Sequence, residues 1–373
     1  MSKPPRRVAV VLPPREGFGP QSAGAIGLLQ ERLARTEITD EPSFAATILG
    51  APQSGPVFDL PYVAVPLRLW PLSTDARYAA GVAQVLKPMR PDLVEVHNRP
   101  DLAARLARRM PPRHIALFLH NDPRTMRGAD TAQQRTTLSA KLGRIVCVSQ
   151  YLAGCWMEGV KGVGVAAPAV LPNCLDLARL PRPLPPDARA RTILFTGRLV
   201  ADKGADSFVA ACALALPALP GWRAEMIGAD RFRLDSPETP FTTALRHKAE
   251  AAGVTLLGYQ DHGTVMAALS RAAIAVLPSR WQEPFGLAAL EAMASGAALV
   301  TTARGGLTEL TEGVSVTIDP EDPAAIARAI LALAGDPAHR ARLAAQARHR
   351  AEDYDVRGAR RLLDQLRMDI LTP

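Results

Sequence analysis

Short apolar runs alternate with amphipathic stretches along the chain, a pattern that predicts parallel strands joined by crossover helices. In the first half the runs that predict strands are 8–12, 44–49, 93–96, 115–119 and 145–148. In the second half they are 192–196, 224–227, 254–257, 274–277, 298–301 and 314–318. Helices are predicted to begin near Ser22, Thr74, Asp101 and Ser149. The pattern therefore predicts an α/β fold with two parallel sheets.

The length of 373 residues exceeds one typical core of ~100–200 residues and suits two domains. The segment 172–186 contains five prolines, which can continue neither a helix nor a sheet. We therefore predict a first domain at 1–186 and a second at 187–354. A last amphipathic helix is predicted at about 355–370.

Composition excludes several classes of protein. Hydrophobic residues make up 48% and charged residues 21%, which is enough apolar material for packed cores. No apolar run reaches the ~18 residues of a membrane span, and the start lacks the apolar segment of a signal peptide. We therefore expect a cytoplasmic protein. The four cysteines lack the spacing of a disulfide framework or a zinc site, so we expect neither.

Charge is uneven along the chain. Residues 1–186 hold 23 Lys and Arg against 14 Asp and Glu, whereas residues 187–373 hold 21 against 22. A basic first half attracts phosphorylated substrates or anionic lipid, although a solvated arginine-rich surface is an equal alternative. Aromatic residues are only 5% and form no stacking motif with basic residues, so we do not expect a nucleic-acid partner.

The first candidate site follows the strand predicted at 192–196. Gly197 and Arg198 come directly after this strand, and Lys203 and Gly204 precede the next helix. Glycines let backbone approach a ligand, and two cations beside a helix N-terminus suit a diphosphate. The spacing is not that of a Walker A loop. A surface turn with two solvated cations is the alternative.

The second candidate follows the strand predicted at 274–277. Glu283 begins a Glu-Pro-Phe-Gly sequence, and Glu291 lies eight positions later. We expect Pro284 to open a helix that Gly296 closes. The two carboxylates would then lie about 12 Å apart, so that one could reach a hexose and the other a ribose. The alternative is one glutamate favoured by the helix dipole and one ordinary surface glutamate.

The first half offers weaker candidates. His120 follows the apolar run 115–119, a place where a histidine is as often a capped, satisfied residue. The loop after the first strand contains Gly17, Gly19 and Gly24, which match Gly-x-Gly-x-x-Gly only in part. We therefore do not predict a dinucleotide cofactor.

Three motifs in register give the second half a resemblance to a known family. Residues 192–334 resemble the donor-binding domain of family 4 glycosyltransferases of the GT-B fold. The matching elements are Gly-Arg-x4-Lys-Gly at 197–204, Glu-Pro-Phe-Gly-x4-Glu-Ala at 283–292 and Gly-Gly-x-x-Glu at 305–309. The first half resembles the family more weakly, through 145–149 and 171–176.

The resemblance implies two Rossmann-like doubly wound domains facing a central cleft, the first binding the acceptor and the second the nucleotide sugar. It also implies that the final helix, at about 355–370, packs back on the first domain. It also implies a retaining hexosyltransferase that moves a sugar from a nucleotide diphosphate to an acceptor, with neither metal nor cofactor. Arg198 and Lys203 would neutralise the diphosphate, and Glu291 would bind the ribose. Glu283 and His120 would lie at the transferred sugar. The positions implied to contact the donor through backbone or close approach are Gly19, Gly24, Gly197, Phe285, Gly286 and Leu287.

The acceptor is expected to be a glycan or a lipid-linked molecule, in polysaccharide, lipopolysaccharide or glycolipid assembly. Peripheral contact with anionic membrane is a hypothesis, based on basic residues opposite apolar ones at helical spacing. The basic residues are Arg105, Arg108, Arg109 and Arg113, and the apolar ones are Leu102, Leu106 and Met110. A catalytically silent nucleotide-sugar binder or scaffold and a GT-B epimerase remain alternatives. The sequence Asp353-Tyr354-Asp355 formally matches a metal-binding Asp-x-Asp motif, but we expect a turn and a helix cap there.

Overall fold

The computed structural model describes residues 4–20, 22–38, 43–67, 73–162, 165–231 and 236–372. The chain divides into two compact units, Met1–Leu175 with Asp355–Pro373 and Asp176–Tyr354. Each unit is a parallel sheet covered by helices, so the predicted α/β class is confirmed. Within the described residues, no helix is long and apolar enough to cross a membrane.

The first unit is built on a sheet of seven parallel strands in the order β3-β2-β1-β4-β5-β6-β7. The strands are β1 (Arg6–Val11), β2 (Phe44–Gly50), β3 (Tyr62–Ala64), β4 (Leu93–His97), β5 (Ile115–Leu119), β6 (Arg144–Cys147) and β7 (Ala169–Val170). The helices between them are α1 (Ala25–Arg35), α2 (Thr74–Met89), α3 (Pro100–Leu106), α4 (Ala132–Lys141) and α5 (Gln150–Met157). All residues of β4 and β5 are buried, as expected for central strands covered on both faces.

The second unit has a sheet of six parallel strands in the order β10-β9-β8-β11-β12-β13. The strands are β8 (Ala190–Thr196), β9 (Arg223–Ile227), β10 (Val254–Leu256), β11 (Ala272–Leu277), β12 (Ala298–Thr301) and β13 (Val316–Thr317). The helices are α6 (Ala205–Ala215), α7 (Pro240–Ala251), α8 (His262–Arg271), α9 (Leu287–Ala294), α10 (Leu307–Thr311), α11 (Pro323–Gly335) and α12 (Pro337–Glu352).

The last helix, α13 (Val356–Leu371), belongs to the first unit. The Asp355 side chain caps it by accepting the backbone N–H of Arg357. Buried Leu363 joins the hydrophobic core that contains residues of β1 and β2. Arg367 forms a two-pronged ion pair with Glu95 of β4, at 2.7 and 2.9 Å, and both side chains are almost fully buried. The last helix is therefore an integral layer of the first unit.

Most of the proline-rich segment, from Asp176 onward, belongs to the second unit. The prediction assigned residues up to 186 to the first domain, whereas the second unit begins at Asp176. The Leu184 N–H donates to the Ser270 carbonyl, and the Arg189 side chain donates to the Leu184 carbonyl. These bonds hold the segment on the elements that follow it.

Candidate functional site

The order in which successive strands join the second sheet reverses at its centre. From β8 the chain moves outward through β9 and β10, then returns to β11 on the other side of β8. In parallel sheets of this kind, ligands bind beyond the carboxyl ends of the two strands at the reversal, because the loops there diverge. Both candidate motifs of the second half follow these strands, since 197–204 comes after β8 and 283–291 comes after β11.

Glycine is required in the loop after β8. Gly204 has φ +68° and precedes α6, and a Cβ there would overlap the carbonyl oxygen of Pro278. A Cβ on Gly228, with φ +149°, would overlap the carbonyl oxygen of Gly197 in the same way. The backbones at the ends of β8, β9 and β11 therefore approach each other more closely than any side chain would allow.

The two motifs are joined by an ion pair. Lys203 Nζ donates to Glu283 Oε1, and Ser279 Oγ donates to the same oxygen at 2.7 Å. Glu283 is 13% exposed and Lys203 is 25% exposed, so the pair is largely shielded from water. The Asp202 carbonyl also accepts the backbone N–H of Arg280 at 2.8 Å. The structure thus brings together two residues that lie 80 positions apart in the sequence.

Arg198 differs from Lys203 because no anionic side chain among the described residues pairs with it. It is half-buried, and it makes no hydrogen bond or ion pair with any residue that the structure describes. A guanidinium at the reversal of the sheet without such a partner is suited to bind an anion from solution.

The helix after β11 begins later than predicted. It starts at Leu287, after Gly286 with φ +103°, and the expected start at Pro284 is wrong. The reason is the third motif, because Gly306 N–H donates to the Glu283 carbonyl at 2.6 Å. A Cβ on Gly305, with φ +65°, would overlap the same carbonyl. This contact holds 283–286 against the glycine pair before the helix can begin.

Phe285 and Gly286 are held by side-chain packing. The Phe285 ring is 4% exposed and meets the Tyr354 ring edge to face at a centroid distance of 5.6 Å. A Cβ on Gly286 would lie 2.5 Å from a methyl carbon of Leu307. The side chain of Phe285 is therefore core, which leaves only backbone at this position for a ligand.

Glu291 lies on α9 and is only 13% exposed. Its Oε1 lies 2.8 Å from Nε2 of His262, the first residue of α8. Asp261 caps α8 by accepting the Thr264 N–H. His262 was not predicted as a site residue, because a single histidine after a short strand carries no motif. The one signal available was its place at the carboxyl side of the second sheet.

The glycine loop of the first unit is packed internally. A Cβ on Gly19 would overlap the Pro56 carbonyl, and one on Gly24 would lie 2.7 Å from a Glu16 carboxylate oxygen. Glu16 accepts the Gly27 N–H at 2.8 Å, at the N-terminus of α1. Burial raises the pKa of Glu16, although backbone hydrogen bonds to its carboxylate oppose the rise. A carboxylate of the chain thus occupies the N-terminus of the helix that follows the loop of Gly19 and Gly24, the loop expected to approach the donor.

His120 lies at the carboxyl end of β5 and is half-buried. Its backbone N–H donates to Oδ1 of Asn98 at 2.9 Å, and its Nε2 lies 2.9 Å from Nδ1 of His97. Burial, followed by the neighbouring His97, holds the pKa of His120 well below its usual value. The imidazole is therefore neutral at physiological pH.

The predicted basic helix face is not formed. α3 ends at Leu106, and the apolar side chains Leu102 and Leu106 are buried in the core at 4% and 1% exposure. Arg108 and Arg109 are exposed but lie beyond the helix end. The helical spacing assumed for Arg108 and Arg109 is therefore wrong, whereas contact of these arginines with an anionic membrane stays a prediction. Across the described ranges no group of three His, Cys, Asp or Glu is placed to hold a metal.

Comparison with known proteins shows which proteins the chain is similar to. Residues 178–350 match the family model described as Glycosyl transferases group 1. The match to this family spans the reversal of the second sheet and both motifs beside it. Over 198 residues the chain is 35% identical to a glycogen synthase of Mycobacterium tuberculosis, covering 52% of the chain and 46% of that protein. The chain thus spans about half the length of this relative.

A second relative matches over more of its length. The GDP-mannose-dependent alpha-(1-6)-phosphatidylinositol dimannoside mannosyltransferase of M. tuberculosis is 28% identical over 306 residues, covering 74% of the chain and 73% of that protein. Sucrose-phosphate synthase from Thermosynechococcus elongatus superposes with a TM-score of 0.76 at 20% identity, over 97% of the chain and 98% of that structure. The fold is therefore GT-B, as predicted.

Proposed function

We propose that the chain is a retaining glycosyltransferase of the family 4 type, which moves a hexosyl unit from a nucleotide-diphosphate sugar to an acceptor. The observation that carries the proposal is the convergence of Lys203 and Glu283 at the reversal of the second sheet, beside Arg198, which has no described partner. The relatives named as glycogen synthase and as a GDP-mannose-dependent transferase support it.

In this proposal the cations of the site bind the charged diphosphate of the donor, and the carboxylates bind hydroxyls of its sugars. Arg198 binds the diphosphate directly, and Lys203 is drawn from Glu283 toward it as negative charge develops on the leaving group. Glu283, released from part of that pairing, accepts hydrogen bonds from hydroxyls of the transferred sugar. Glu291 accepts hydrogen bonds from the ribose. The acceptor oxygen arrives on the face that the diphosphate leaves, so no enzyme nucleophile is needed.

The acceptor is proposed to be a glycan or a lipid-linked molecule with anionic groups. The excess of basic residues before residue 187 supports this class, as does the phosphatidylinositol in the name of the second relative. Sedimentation with anionic and with neutral vesicles tests the membrane part, since equal recovery in both would refute it.

The donor proposal is tested with a panel of UDP-, GDP- and ADP-sugars in thermal-shift and hydrolysis assays. A donor at 100 times its Kd should stabilise the wild-type protein by about 2.7 kcal/mol and release free sugar slowly. The double variant Arg198→Ala, Lys203→Ala should lose both effects. The matched control is Lys248→Ala, Arg271→Ala, which removes two exposed cations of the same unit and should keep both.

The outcomes separate the candidate functions. Binding without transfer to any offered acceptor would favour a silent nucleotide-sugar binder, and conversion of the donor to its epimer would favour an epimerase. No shift with any donor would refute the proposal.

A further inference from the structure

Two histidines form a pair at the carboxyl ends of β4 and β5. His97 is the last residue of β4 and is 1% exposed, and its Nδ1 lies 2.9 Å from Nε2 of His120. Its ring stacks on Phe118 at a centroid distance of 4.8 Å and on the His120 ring at 5.2 Å. These contacts leave the imidazole of His97 little freedom to rotate.

Asn98, the residue after His97, holds the backbone of His120. Asn98 has φ +55°, a conformation uncommon for residues other than glycine. Its Oδ1 accepts the backbone N–H of His120 at 2.9 Å. Two consecutive residues at the end of β4 thus fix His120, one through the ring and one through the main chain. Strained backbone that aims a side chain at another residue is typical of functional sites.

The other nitrogen of His97, Nε2, has no partner in the part of the chain that the structure describes. Nε2 is buried and makes no hydrogen bond with the residues the structure describes. His97 lines a small cavity of about 10 Å³, together with Gln30, Glu95 and Cys147. Buried N–H groups without an acceptor are rarer than buried acceptors without a donor. The proton of His97 therefore belongs on Nδ1, from which it is donated to Nε2 of His120.

Both rings are neutral, so the arrangement determines one tautomer for each. Burial and then the nearby Arg367 guanidinium lower the pKa of His97 to about 3, and burial and then His97 lower the pKa of His120. If Nε2 of His120 accepts a hydrogen bond, its own proton must be on Nδ1. That nitrogen makes no hydrogen bond with a described residue.

We propose that His97 is a positioning residue, which fixes His120 in the Nδ1–H tautomer and so makes that N–H available as a hydrogen-bond donor to the substrate sugar. The inference rests on the proposed function, because it assigns His120 a donor role in the same transfer. His97 itself touches no substrate. It acts by removing the alternative tautomer, in which Nδ1 of His120 could only accept.

The first measurement is the ¹⁵N spectrum of the histidine-labelled full chain at pH 7.5. His120 should show a protonated Nδ1 and an unprotonated Nε2. In His97→Phe, which retains an aromatic ring for stacking but has no nitrogen, His120 should become a mixture of tautomers. In His97→Asn, the side-chain amide nitrogen lies near the position of Nδ1 and should restore the single tautomer.

Kinetics with the donor found above give the second measurement. His97→Phe should lower kcat ~10–100-fold with the donor KM changed less than ~3-fold, as is usual when a residue that orients a functional group is lost. His97→Asn should recover most of this loss. The matched control is Cys147→Ala, which alters the same cavity without touching the pair and should retain kcat.

The results distinguish the two proposals. An unchanged His120 tautomer in folded His97→Phe, or a kcat equal to that of wild type, would overturn the positioning role. If His97→Phe does not fold, the wild-type spectrum and His97→Asn decide, and a protonated Nε2 on His120 would overturn the inference. If the wild type binds and turns over no donor, the function fails, while the spectra still decide whether His97 sets the tautomer.

Discussion

The contact between Glu291 and His262 leads to a prediction about how the nucleotide is recognised. Glu291 is 13% exposed and is held by His262 at 2.8 Å, so its carboxylate is oriented before any ligand arrives. We predict that Glu291→Gln, which keeps the shape and removes the charge, weakens binding of the ribonucleoside diphosphate. A hydrogen bond to a charged group contributes about 1.5–3 kcal/mol, which corresponds to about a 10- to 150-fold higher Kd.

The assay compares two ligands and five proteins, the wild type and four variants. Isothermal titration measures the Kd of the preferred nucleoside diphosphate and of its 2′,3′-dideoxy counterpart. Glu291→Gln should affect only the ribonucleotide, because the dideoxy ligand offers no hydroxyl. His262→Gln should cause a smaller loss of about 3- to 10-fold, and the double variant should lose little more than Glu291→Gln alone, since contacting residues are not additive. Exposed Glu312→Gln is the control and should change neither Kd.

Two results would refute this reasoning. An equal loss for both ligands would show that Glu291 acts on another part of the donor or on the fold. Full additivity of the two variants would show that His262 does not orient Glu291.

Three further predictions concern stability of the full chain. Gly204→Ala should lower the free energy of unfolding by about 2–4 kcal/mol, because Gly204 has a positive φ and a Cβ there would overlap backbone. Gly335→Ala, at a helical position with open space around it, should raise the free energy of unfolding by about 0.5–1 kcal/mol. Equal denaturation midpoints for the two variants would contradict this prediction. Arg367→Met should lower the free energy of unfolding by about 3–5 kcal/mol, because Glu95 stays buried without its cation. Adding Glu95→Leu should restore most of this stability. A double variant as unstable as Arg367→Met would argue against the ion pair as the cause. His97 of the unfolded chain binds a proton below pH 6.5, whereas folded His97, with a pKa of about 3, stays neutral. The free energy of unfolding should therefore fall by about 2 kcal/mol between pH 6.5 and 5. In denaturant titrations His97→Phe should show a shallower fall with pH, and a slope identical to that of wild type would contradict the burial of a neutral ring.

The fold was largely predictable because its central strands are buried on both faces. β5 and β11 are apolar at every position, and such runs are visible without knowledge of any partner. β3 and β7 were not predicted, since three and two residues at or near a sheet edge are too short to form a pattern. Pairing of β8 with β11 could not be seen either, because it depends on the order of strands in space.

The candidate site was predictable only as far as its motifs extend. Lys203 and Glu283 were found by spacing, but their ion pair required the two strands to be neighbours. His97 and His262 are single histidines whose importance lies in a partner far along the chain. The start of α9 was misplaced because contact with Gly306 overrides the preference of Pro284 for the first helical turn.

The return of the last helix to the first unit imposes an order on biosynthesis. Arg367 is synthesised after all strands of both units, so the first unit cannot form its Glu95–Arg367 ion pair until its last helix has been made. Before Arg367 is made, the Glu95 carboxylate has no guanidinium to pair with. β4, which carries Glu95, would then have to bury an uncompensated charge. The first unit therefore completes its core only after α13 has left the ribosome.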